Sequence, residues 1–393
     1  MISYSSTTNS QNNILFVANY ESDVGYAWWL MDNFWSEIAH YFKNRNVQCY
    51  IIYPKLNSLP EVIEKSPIQT FELDFSNREI KNLKKLKSII NENRIETIYL
   101  TDKKVFDSIY FRLRIWGIKL IINHVHRGVG DGKINTAKNA LKKIVHIISI
   151  FSCHHYIAVS NFVKTTLIQN ACVPKKRCVT IRNGIIPIVI ESKYKNYART
   201  LFGLDNDSIL IVSTGRAVFS KGIDFIIECA NIVINRKKKK NVCFIYCGDG
   251  PDLKEFKKLS QKYLLEQNFI FAGFRNDINE IVQSCDIAIH ASNCEAFSLS
   301  ILEYLSAGLP TLAPKVGGNI EAIKHGVTGF LYTQRNLFEV VDRILYLLEN
   351  KELKEQIGKR AVASVNKNFS IQRTNLKLIK FFENLLYVNR NMQ

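Results

Sequence analysis

The sequence predicts an α/β protein with two Rossmann-like, doubly wound domains. Short apolar runs alternate with longer amphipathic stretches along the 393-residue chain, a pattern typical of βαβ units around a mostly parallel sheet. A chain of this length holds about two to three domains of ordinary size. The runs form two series, separated by a segment without clear periodicity, and each series is long enough for its own sheet.

The first series predicts five strands with helices between them. The strands are placed at residues 14–18, 48–53, 97–100, 119–123 and 156–159. After the turn Asn183-Gly184, residues 187–196 combine Pro, Glu, Ser and several Lys, which favours a domain linker there. The N-terminal domain is therefore expected to cover residues 1–190.

The second series predicts five further strands in a C-terminal domain over residues 197–350. These strands are placed at residues 209–213, 242–247, 269–271, 287–290 and 311–313. Residues 351–393 are predicted to be helical, able to pack on either domain, including back on the first. Tandem sheets of this kind create a cleft between the facing carboxyl ends of their strands, where ligands are expected to bind.

Composition predicts a soluble globular protein, because 47% of the residues are hydrophobic and 22% are charged. The longest apolar stretch, residues 144–153, is interrupted by His146 and Ser149 and falls short of the roughly 20 residues that a membrane span needs. Residues 1–13 are polar and do not resemble a secretory signal. The nine cysteines contain no CxxC pair, which argues against disulfides and a zinc ribbon. A cytoplasmic protein is expected.

The net charge of +18 favours polyanionic partners. Residues 1–190 carry +11 of this charge and the remainder carries +7. Nucleic acid, an anionic membrane face and phosphorylated small molecules all fit such a surface, and solubility alone explains it equally well.

A first candidate site follows the predicted strand at residues 209–213. Gly215 permits a tight turn there, and a helix is expected to begin near Asp224. Arg216 and Lys221 lie on the loop between them, where a guanidinium and an ammonium can together hold a diphosphate. Solvated surface cations are the alternative interpretation.

A second candidate cluster follows the predicted strand at residues 287–290. Glu295 leaves that strand's loop, and Glu303 comes eight positions later, about two helical turns along. The expected helix N-terminus would offer free backbone amides to a phosphate, with Ser298 beside them. It comprises Ala296, Phe297, Ser298 and Leu299. Alternatively, the two glutamates only balance a neighbouring lysine and the helix dipole.

Taken in series, these motifs resemble the retaining nucleotide-sugar glycosyltransferases of family 4, which have the GT-B fold. The resemblance covers about two thirds of the chain and is sharpest from residue 157 onward. The segments that carry it are Ala158-Val159-Ser160-Asn161, Arg182-Asn183-Gly184-Ile185, Gly215-Arg216, Lys221-Gly222, Gly248-Asp249-Gly250-Pro251, Glu295 with Glu303, Gly317-Gly318, Glu321 and Gly326-Val327-Thr328-Gly329-Phe330.

The resemblance implies specific roles in donor binding. Arg216 and Lys221 match the residues that hold the donor diphosphate. Glu303 matches the one that binds the ribose, and Glu295 the one that contacts the transferred sugar. In the first half, His126 occupies the place of the family's donor-sugar histidine. An ordinary structural histidine is the alternative there, and His124 is the weaker candidate because it can lie within the strand.

The first glycine loop departs from the family pattern. Instead of paired glycines, the loop after residue 18 offers only Gly25, followed by Tyr26 and two tryptophans. These aromatic residues can stack on a sugar, so Gly25 and Tyr26 are candidates for an acceptor pocket of a different shape. Core packing is the alternative for at least one tryptophan.

The reaction that this resemblance implies is transfer of a sugar, with retention, from a nucleotide donor to a saccharide or lipid-linked acceptor. UDP-sugars are favoured over GDP-sugars, bacterial surface polysaccharide (capsule, O-antigen or lipopolysaccharide) is the expected product, and Glu295, His126, Arg216 and Lys221 are the expected catalytic residues. Family 4 enzymes are generally metal-independent, so no metal ion and no cofactor besides the nucleotide sugar are expected.

Three other functions compete with this one. A dehydrogenase would need a Gly-x-Gly-x-x-Gly motif, which neither candidate loop provides. A nucleotide-sugar 2-epimerase of GT-B architecture remains an alternative. A nucleic-acid-binding protein would account for the charge, but the basic residues are scattered, so no nucleic acid is expected.

The predicted helix around residue 142 suggests peripheral attachment to an anionic membrane surface. Lys138, Lys142 and Lys143 lie beside apolar residues that include Ile144 and Ile148, a composition typical of interfacial helices. A helix buried against the first sheet explains the same apolar residues.

Overall fold

The computed structural model describes residues 12–24, 28–128 and 136–388, which form two compact units. Unit one runs up to Arg182 and takes in the chain from Thr374, while unit two spans Asn183–Arg373. Each unit contains one parallel sheet, with helices connecting its strands. The prediction of an α/β protein with two Rossmann-like domains is therefore confirmed.

The sheet of unit one has seven parallel strands in the order β3-β2-β1-β4-β5-β6-β7. They are β1 (Asn13–Val17), β2 (Cys49–Tyr53), β3 (Gln69–Glu72), β4 (Ile95–Thr101), β5 (Leu120–Val125), β6 (His155–Ala158) and β7 (Cys178–Thr180). The intervening helices are α1 (Trp29–Lys43), α2 (Glu61–Glu64), α3 (Ile80–Glu92), α4 (Ile109–Ile115), α5 (Thr136–Ile148) and α6 (Asn161–Gln169).

The sheet of unit two has six parallel strands in the order β10-β9-β8-β11-β12-β13. They are β8 (Ile209–Thr214), β9 (Val242–Cys247), β10 (Phe269–Gly273), β11 (Ile287–Ile289), β12 (Thr311–Pro314) and β13 (Gly329–Tyr332). Its helices are α7 (Tyr197–Leu201), α8 (Ile223–Asn231), α9 (Leu253–Lys262), α10 (Ile278–Gln283), α11 (Leu299–Ser306), α12 (Asn319–Ala322), α13 (Leu337–Glu349) and α14 (Lys351–Asn368).

Alternate residues of the second sheet pack into two separate hydrophobic clusters. Ile211 belongs to a cluster that includes side chains of α8 and α13. Its neighbours Leu210 and Val212 belong to the other cluster, with side chains of α7, α10 and α11. Because successive side chains of a strand point to opposite faces, both faces of this sheet are covered by helices.

The division between the units lies a few residues before the segment 187–196 that the sequence suggests as a linker. That segment belongs to unit two, where the Ile188 N–H donates to Ser306 Oγ at 2.7 Å. The final helix, α15 (Ile371–Glu383), begins in unit two and continues into unit one. There the Phe382 ring lies 5.2 Å from that of Tyr99.

Three edge strands are missing from the sequence prediction, namely β3, β7 and β13. The first two have four and three residues and are only partly buried. An edge strand has a single neighbour and needs no long apolar run, so it leaves a weak signal. In the described part of the chain, no helix is both long and apolar enough to cross a membrane.

Candidate functional site

Loops that follow β8, β9, β11 and β12 meet at the carboxyl edge of the second sheet and are joined by backbone hydrogen bonds. The Ala217 N–H donates to the Asp249 carbonyl at 2.8 Å, which ties the first loop to the second. The Asn293 N–H donates to the Ser220 carbonyl at 2.8 Å, tying the third loop to the first. The backbone therefore fixes the relative positions of the candidate side chains on these loops.

Two glycines allow the loop around Glu295 to approach its neighbours closely. Gly222 has φ +72°, and a Cβ atom there would lie 2.2 Å from the Ala291 carbonyl oxygen. Gly317 has φ +53°, and a Cβ atom there would lie 2.0 Å from the Glu295 carbonyl oxygen. The adjacent Gly318 N–H donates to that same oxygen at 2.8 Å. The backbone of Glu295 is thus held from the loop after β12.

This contact predicts that Gly317→Ala destabilises unit two more than Gly326→Ala does. Both glycines have positive φ, so both substitutions carry a backbone cost of about 1–2 kcal/mol. Only Gly317 adds a clash, because open space surrounds the Cβ position at Gly326. Urea unfolding should therefore give a larger loss of unfolding free energy for Gly317→Ala. Equal losses would show that the loop around Glu295 yields without cost.

Glu295 lies at the centre of an ionic cluster with Lys221 and His290. Lys221 Nζ donates to Glu295 Oε1 at 2.5 Å, and His290 Nε2 lies 3.2 Å from the same oxygen. The side chains are 33% exposed for Lys221, 13% for Glu295 and 6% for His290. The site is thus mostly enclosed, with the lysine as its most accessible member.

The charge state of Glu295 follows from this environment. Burial raises the pKa of the Glu295 carboxyl, but hydrogen bonds and charge from His290 and Lys221 outweigh burial and hold that pKa at about 2. Glu295 is therefore an ionised carboxylate at neutral pH. It can accept hydrogen bonds and stabilise a nearby positive charge, and it has no proton to donate.

Arg216 is placed differently from Lys221 although both lie on the loop after β8. The Arg216 side chain is exposed, whereas Lys221 is engaged by Glu295. Gly215 precedes Arg216 and has φ +146°, and the Tyr246 hydroxyl donates to the Gly215 carbonyl at 2.6 Å. The structure thus joins Lys221 with Glu295, and it leaves the Arg216 guanidinium open to solvent.

The predicted helix N-terminus is present at α11. Ser298 is its N-cap, and its hydroxyl accepts from the Ile301 N–H at 3.4 Å. Phe297 is buried with its ring 5.6 Å from that of Phe369, so its side chain is part of the core. Ala296 and Leu299 are partly buried.

Glu303 lies in the second turn of α11, next to a residue that ties this helix to the end of β8. The next residue, Tyr304, accepts through its hydroxyl from the Thr214 N–H at 2.6 Å. The helix begins at Leu299, so Glu295 precedes it in the loop after β11 and Glu303 follows within the helix.

In unit one, His126 lies directly after β5 and beside Asp102. The His126 N–H donates to Asp102 Oδ1 at 2.7 Å, and Asp102 Oδ2 lies 3.9 Å from His126 Nδ1. Both ring nitrogens are buried and have no hydrogen-bond partner among the described residues. Burial lowers the pKa of His126, and Asp102 opposes that shift. A buried imidazole with two unused nitrogens can bind a hydroxyl group.

His124 has a structural position within β5. Its Nδ1 lies 2.6 Å from the Tyr99 hydroxyl, and its ring packs against Phe34. The imidazole rings of His124 and His126 are 4.3 Å apart.

The candidate acceptor loop is described only in part. Gly25 and Tyr26 lie outside the described residues. Next to them, the Trp28 ring stacks on Tyr20 at 4.5 Å. The Tyr20 and Tyr53 hydroxyls both donate to Asp32 Oδ1, at 3.1 and 3.0 Å. Burial raises the pKa of Asp32 to about 6, against the lowering effect of these hydrogen bonds.

Sequence reasoning missed three polar residues that the structure places beside the candidates: His290, Asp102 and Asp32. His290 and Asp102 each come directly after a buried strand, at the carboxyl edge where ligands bind in open α/β sheets. Their position at the end of a predicted strand or just after one could therefore have identified both residues as candidates from the sequence. Asp32 carried none, because a single acidic residue in the first turn of a helix is ordinary.

Metal-binding groups of the usual kind are not seen at these sites. Within residues 12–24, 28–128 and 136–388, no three His, Cys, Asp or Glu side chains are grouped so as to hold a metal ion.

Two curated proteins similar to this chain are bacterial. It is 27% identical over 216 residues to N-acetyl-alpha-D-glucosaminyl L-malate synthase of Bacillus anthracis, an alignment that covers 54% of each protein. It therefore spans about half the length of that relative. It is 22% identical over 285 residues to an Escherichia coli UDP-Gal:alpha-D-GlcNAc-diphosphoundecaprenol alpha-1,3-galactosyltransferase, covering 70% of this chain and 72% of the relative.

A solved structure with a similar fold is that of HepE from Anabaena in complex with UDP-glucose. Its TM-score is 0.75 at 22% identity, and the match covers 95% of this chain and 99% of the other.

Two family models match successive parts of the chain. Glycosyltransferase Family 4 matches residues 31–187, and Glycosyl transferases group 1 matches residues 198–363. The first range lies in unit one except for its last residues, and the second lies within unit two. Together with the two parallel sheets and the relatives, these matches show that the chain belongs to the glycosyltransferases of GT-B type.

Proposed function

We propose that this glycosyltransferase moves a sugar from UDP to a saccharide or lipid-linked acceptor with retention of configuration. The observation that carries the proposal is the cluster of Lys221, Glu295 and His290 on the carboxyl edge of the second sheet. The Anabaena neighbour was solved with UDP-glucose, and the E. coli relative is named for a lipid-linked acceptor. Both names support a UDP-sugar donor and an acceptor of this class.

The first task of the site is to stabilise the departing diphosphate. Its negative charge grows as the bond to the sugar breaks, so positive groups aimed at it lower the barrier. Lys221 is partly exposed and Arg216 is exposed on the same loop, so both are available to an anion. The amide groups at the start of α11 add further donors. Glu303 is the proposed ligand of the ribose hydroxyls, and no metal ion is required by this scheme.

The second task is to hold the sugar as it acquires positive charge. Glu295 is ionised and largely buried, so its carboxylate can accept hydrogen bonds from sugar hydroxyls and stabilise an oxocarbenium-like centre. His290 and Lys221 keep the carboxylate in place before the donor arrives. A diphosphate that binds Lys221 would then compete with Glu295 for the same ammonium group.

His126 is the proposed contact to the sugar in unit one. Its ring nitrogens have no hydrogen-bond partner in the part of the chain that the structure describes, and Asp102 positions it through the main chain. We further propose that the product is a bacterial surface polysaccharide and that the enzyme acts in the cytoplasm.

A donor panel tests this proposal directly. We expect isothermal titration calorimetry to show binding of UDP-sugars, and weaker binding of the matching GDP- and ADP-sugars. NMR of the product formed with an undecaprenyl-diphosphate-linked sugar should show the anomeric configuration of the donor. Isomerised sugar released without an acceptor would instead identify a 2-epimerase. Absence of heat with every activated sugar would refute the proposal.

A further inference from the structure

Helix α5 presents apolar side chains to solvent rather than to the sheet. Ile144 and Ile148, one turn apart, are 51% and 54% exposed, whereas His146 between them is 2% exposed. His146 is held inside by its Nε2, which lies 3.0 Å from the Ala171 carbonyl, and by a ring contact with Phe106 at 4.6 Å. Burial against the sheet therefore does not account for Ile144 and Ile148.

Further exposed apolar side chains lie on α4 and on the segment that follows α5. Phe151 is exposed three residues after Ile148, and its ring lies 5.9 Å from that of Phe111, also exposed. Phe111 and the exposed Ile115 are one turn apart on α4. We call this set of exposed side chains the apolar row; it consists of Ile144, Ile148, Phe151, Phe111 and Ile115.

One backbone hydrogen bond and two from the Arg114 side chain join α4, and the short segment before it, to the segment that follows α5. The Asp107 N–H donates to the Phe151 carbonyl at 3.1 Å. Arg114 donates from its guanidinium to the carbonyls of Ile150 and Ser152, at 3.1 and 2.7 Å. The row is thus a built surface of unit one and does not depend on a single side chain.

The sequence around the apolar row is strongly basic. Residues 108–154 contain eight Lys or Arg and a single acidic residue, Asp131, which lies outside the described residues. Arg112 and Lys143 are exposed and adjacent in sequence to Phe111 and Ile144. The acidic residues that precede this segment have partners: Asp107 binds Arg78, Asp102 lies 3.9 Å from His126, and Glu96 binds Lys119. A negatively charged partner is therefore favoured.

We propose that the apolar row, with Arg112 and Lys143, docks unit one on the surface of a bilayer that contains anionic lipids. Exposed aliphatic and aromatic side chains beside cations are typical of proteins that lie at the boundary between headgroups and acyl chains. Nucleic acid is a poorer fit, because its binding rests mainly on contacts between cations and phosphates and would not account for the exposed isoleucines. This docking concerns a surface apart from the donor residues and does not depend on the proposed transfer.

Vesicle flotation of the full chain tests the docking. We compare vesicles of phosphatidylcholine alone with vesicles that contain about 30% phosphatidylglycerol, at low and high salt. Binding should require the anionic lipid and should weaken as salt rises, because screening shortens the reach of the cations. No binding to either vesicle, or equal binding to both, would overturn the proposal. Donor calorimetry needs no vesicles, so this failure leaves the transfer reaction independently testable.

Matched variants locate the binding surface. Arg112→Gln with Lys143→Gln should weaken binding about 25-fold, since each cation near an anionic surface contributes about fivefold. The control, Lys84→Gln with Lys87→Gln, removes the same charge from the exposed side of α3. Phe111→Ser with Ile148→Ser should abolish flotation, because it removes apolar side chains that would enter the bilayer. The control is Ile80→Ser with Leu264→Ser, at two exposed apolar positions elsewhere, and it should leave flotation unchanged. Equal loss in a pair and in its control would overturn the assignment of the contact to the apolar row.

Discussion

Replacing Glu295 with glutamine is expected to lower kcat about a hundredfold, by analogy with removal of a single preorganised charge-stabilising group from an active site. Glutamine has nearly the same shape, so the loop should keep its backbone contacts with Gly317 and Gly318. It cannot supply the negative charge that Glu295 provides at neutral pH. The loss should therefore fall on the transfer step.

The affinity for UDP should respond in the opposite direction. Glu295 holds Lys221 at 2.5 Å in the structure, so its neutralisation frees the ammonium for a diphosphate. We expect calorimetry to show UDP affinity that is unchanged or tighter in Glu295→Gln. Glu266→Gln, on an exposed side chain of the same unit, is the control and should alter neither quantity. Parallel losses of kcat and UDP affinity would indicate a collapsed loop rather than a lost charge.

Central strands of both sheets are predictable from sequence because strands buried on both faces read as nearly continuous apolar runs. Residues 242–247 illustrate this, since all six are buried and the prediction and the structure agree on both ends. The edge strand Gln69–Glu72 has no such run, and it forms only because β2 is available as a partner. Local sequence does not contain that information.

The ionic cluster illustrates the same limit at the level of the site. Lys221 and Glu295 were each identified from their positions after a strand, but their contact joins residues far apart in the chain. It exists because β8 and β11 are neighbours in the sheet, a pairing that depends on strand order. The sequence prediction places His290 within the strand. In the structure β11 ends at Ile289, and the His290 side chain contacts Glu295.

Replacing Lys221 with methionine should weaken UDP binding by about tenfold to a hundredfold, the range expected for loss of one charge-assisted contact worth roughly 1.5–3 kcal/mol. Two effects act together. The diphosphate loses a cation, and it meets a Glu295 carboxylate that Lys221 no longer neutralises. Lys257→Met, on the exposed face of α9, removes the same charge and should leave UDP affinity unchanged.

The double variant separates these two effects. If Glu295 repels the diphosphate once Lys221 is gone, adding Glu295→Gln to Lys221→Met should restore part of the lost UDP affinity. The Glu295→Gln change should not rescue Arg216→Met in the same way, because the Glu295 carboxylate contacts Lys221 and His290 and the Arg216 side chain is exposed. Calorimetry on these single and double variants gives both coupling energies. Rescue in neither case would mean that Glu295 does not repel the diphosphate and that the whole loss comes from the direct contact with Lys221. Unchanged UDP affinity in Lys221→Met would remove Lys221 from the diphosphate site.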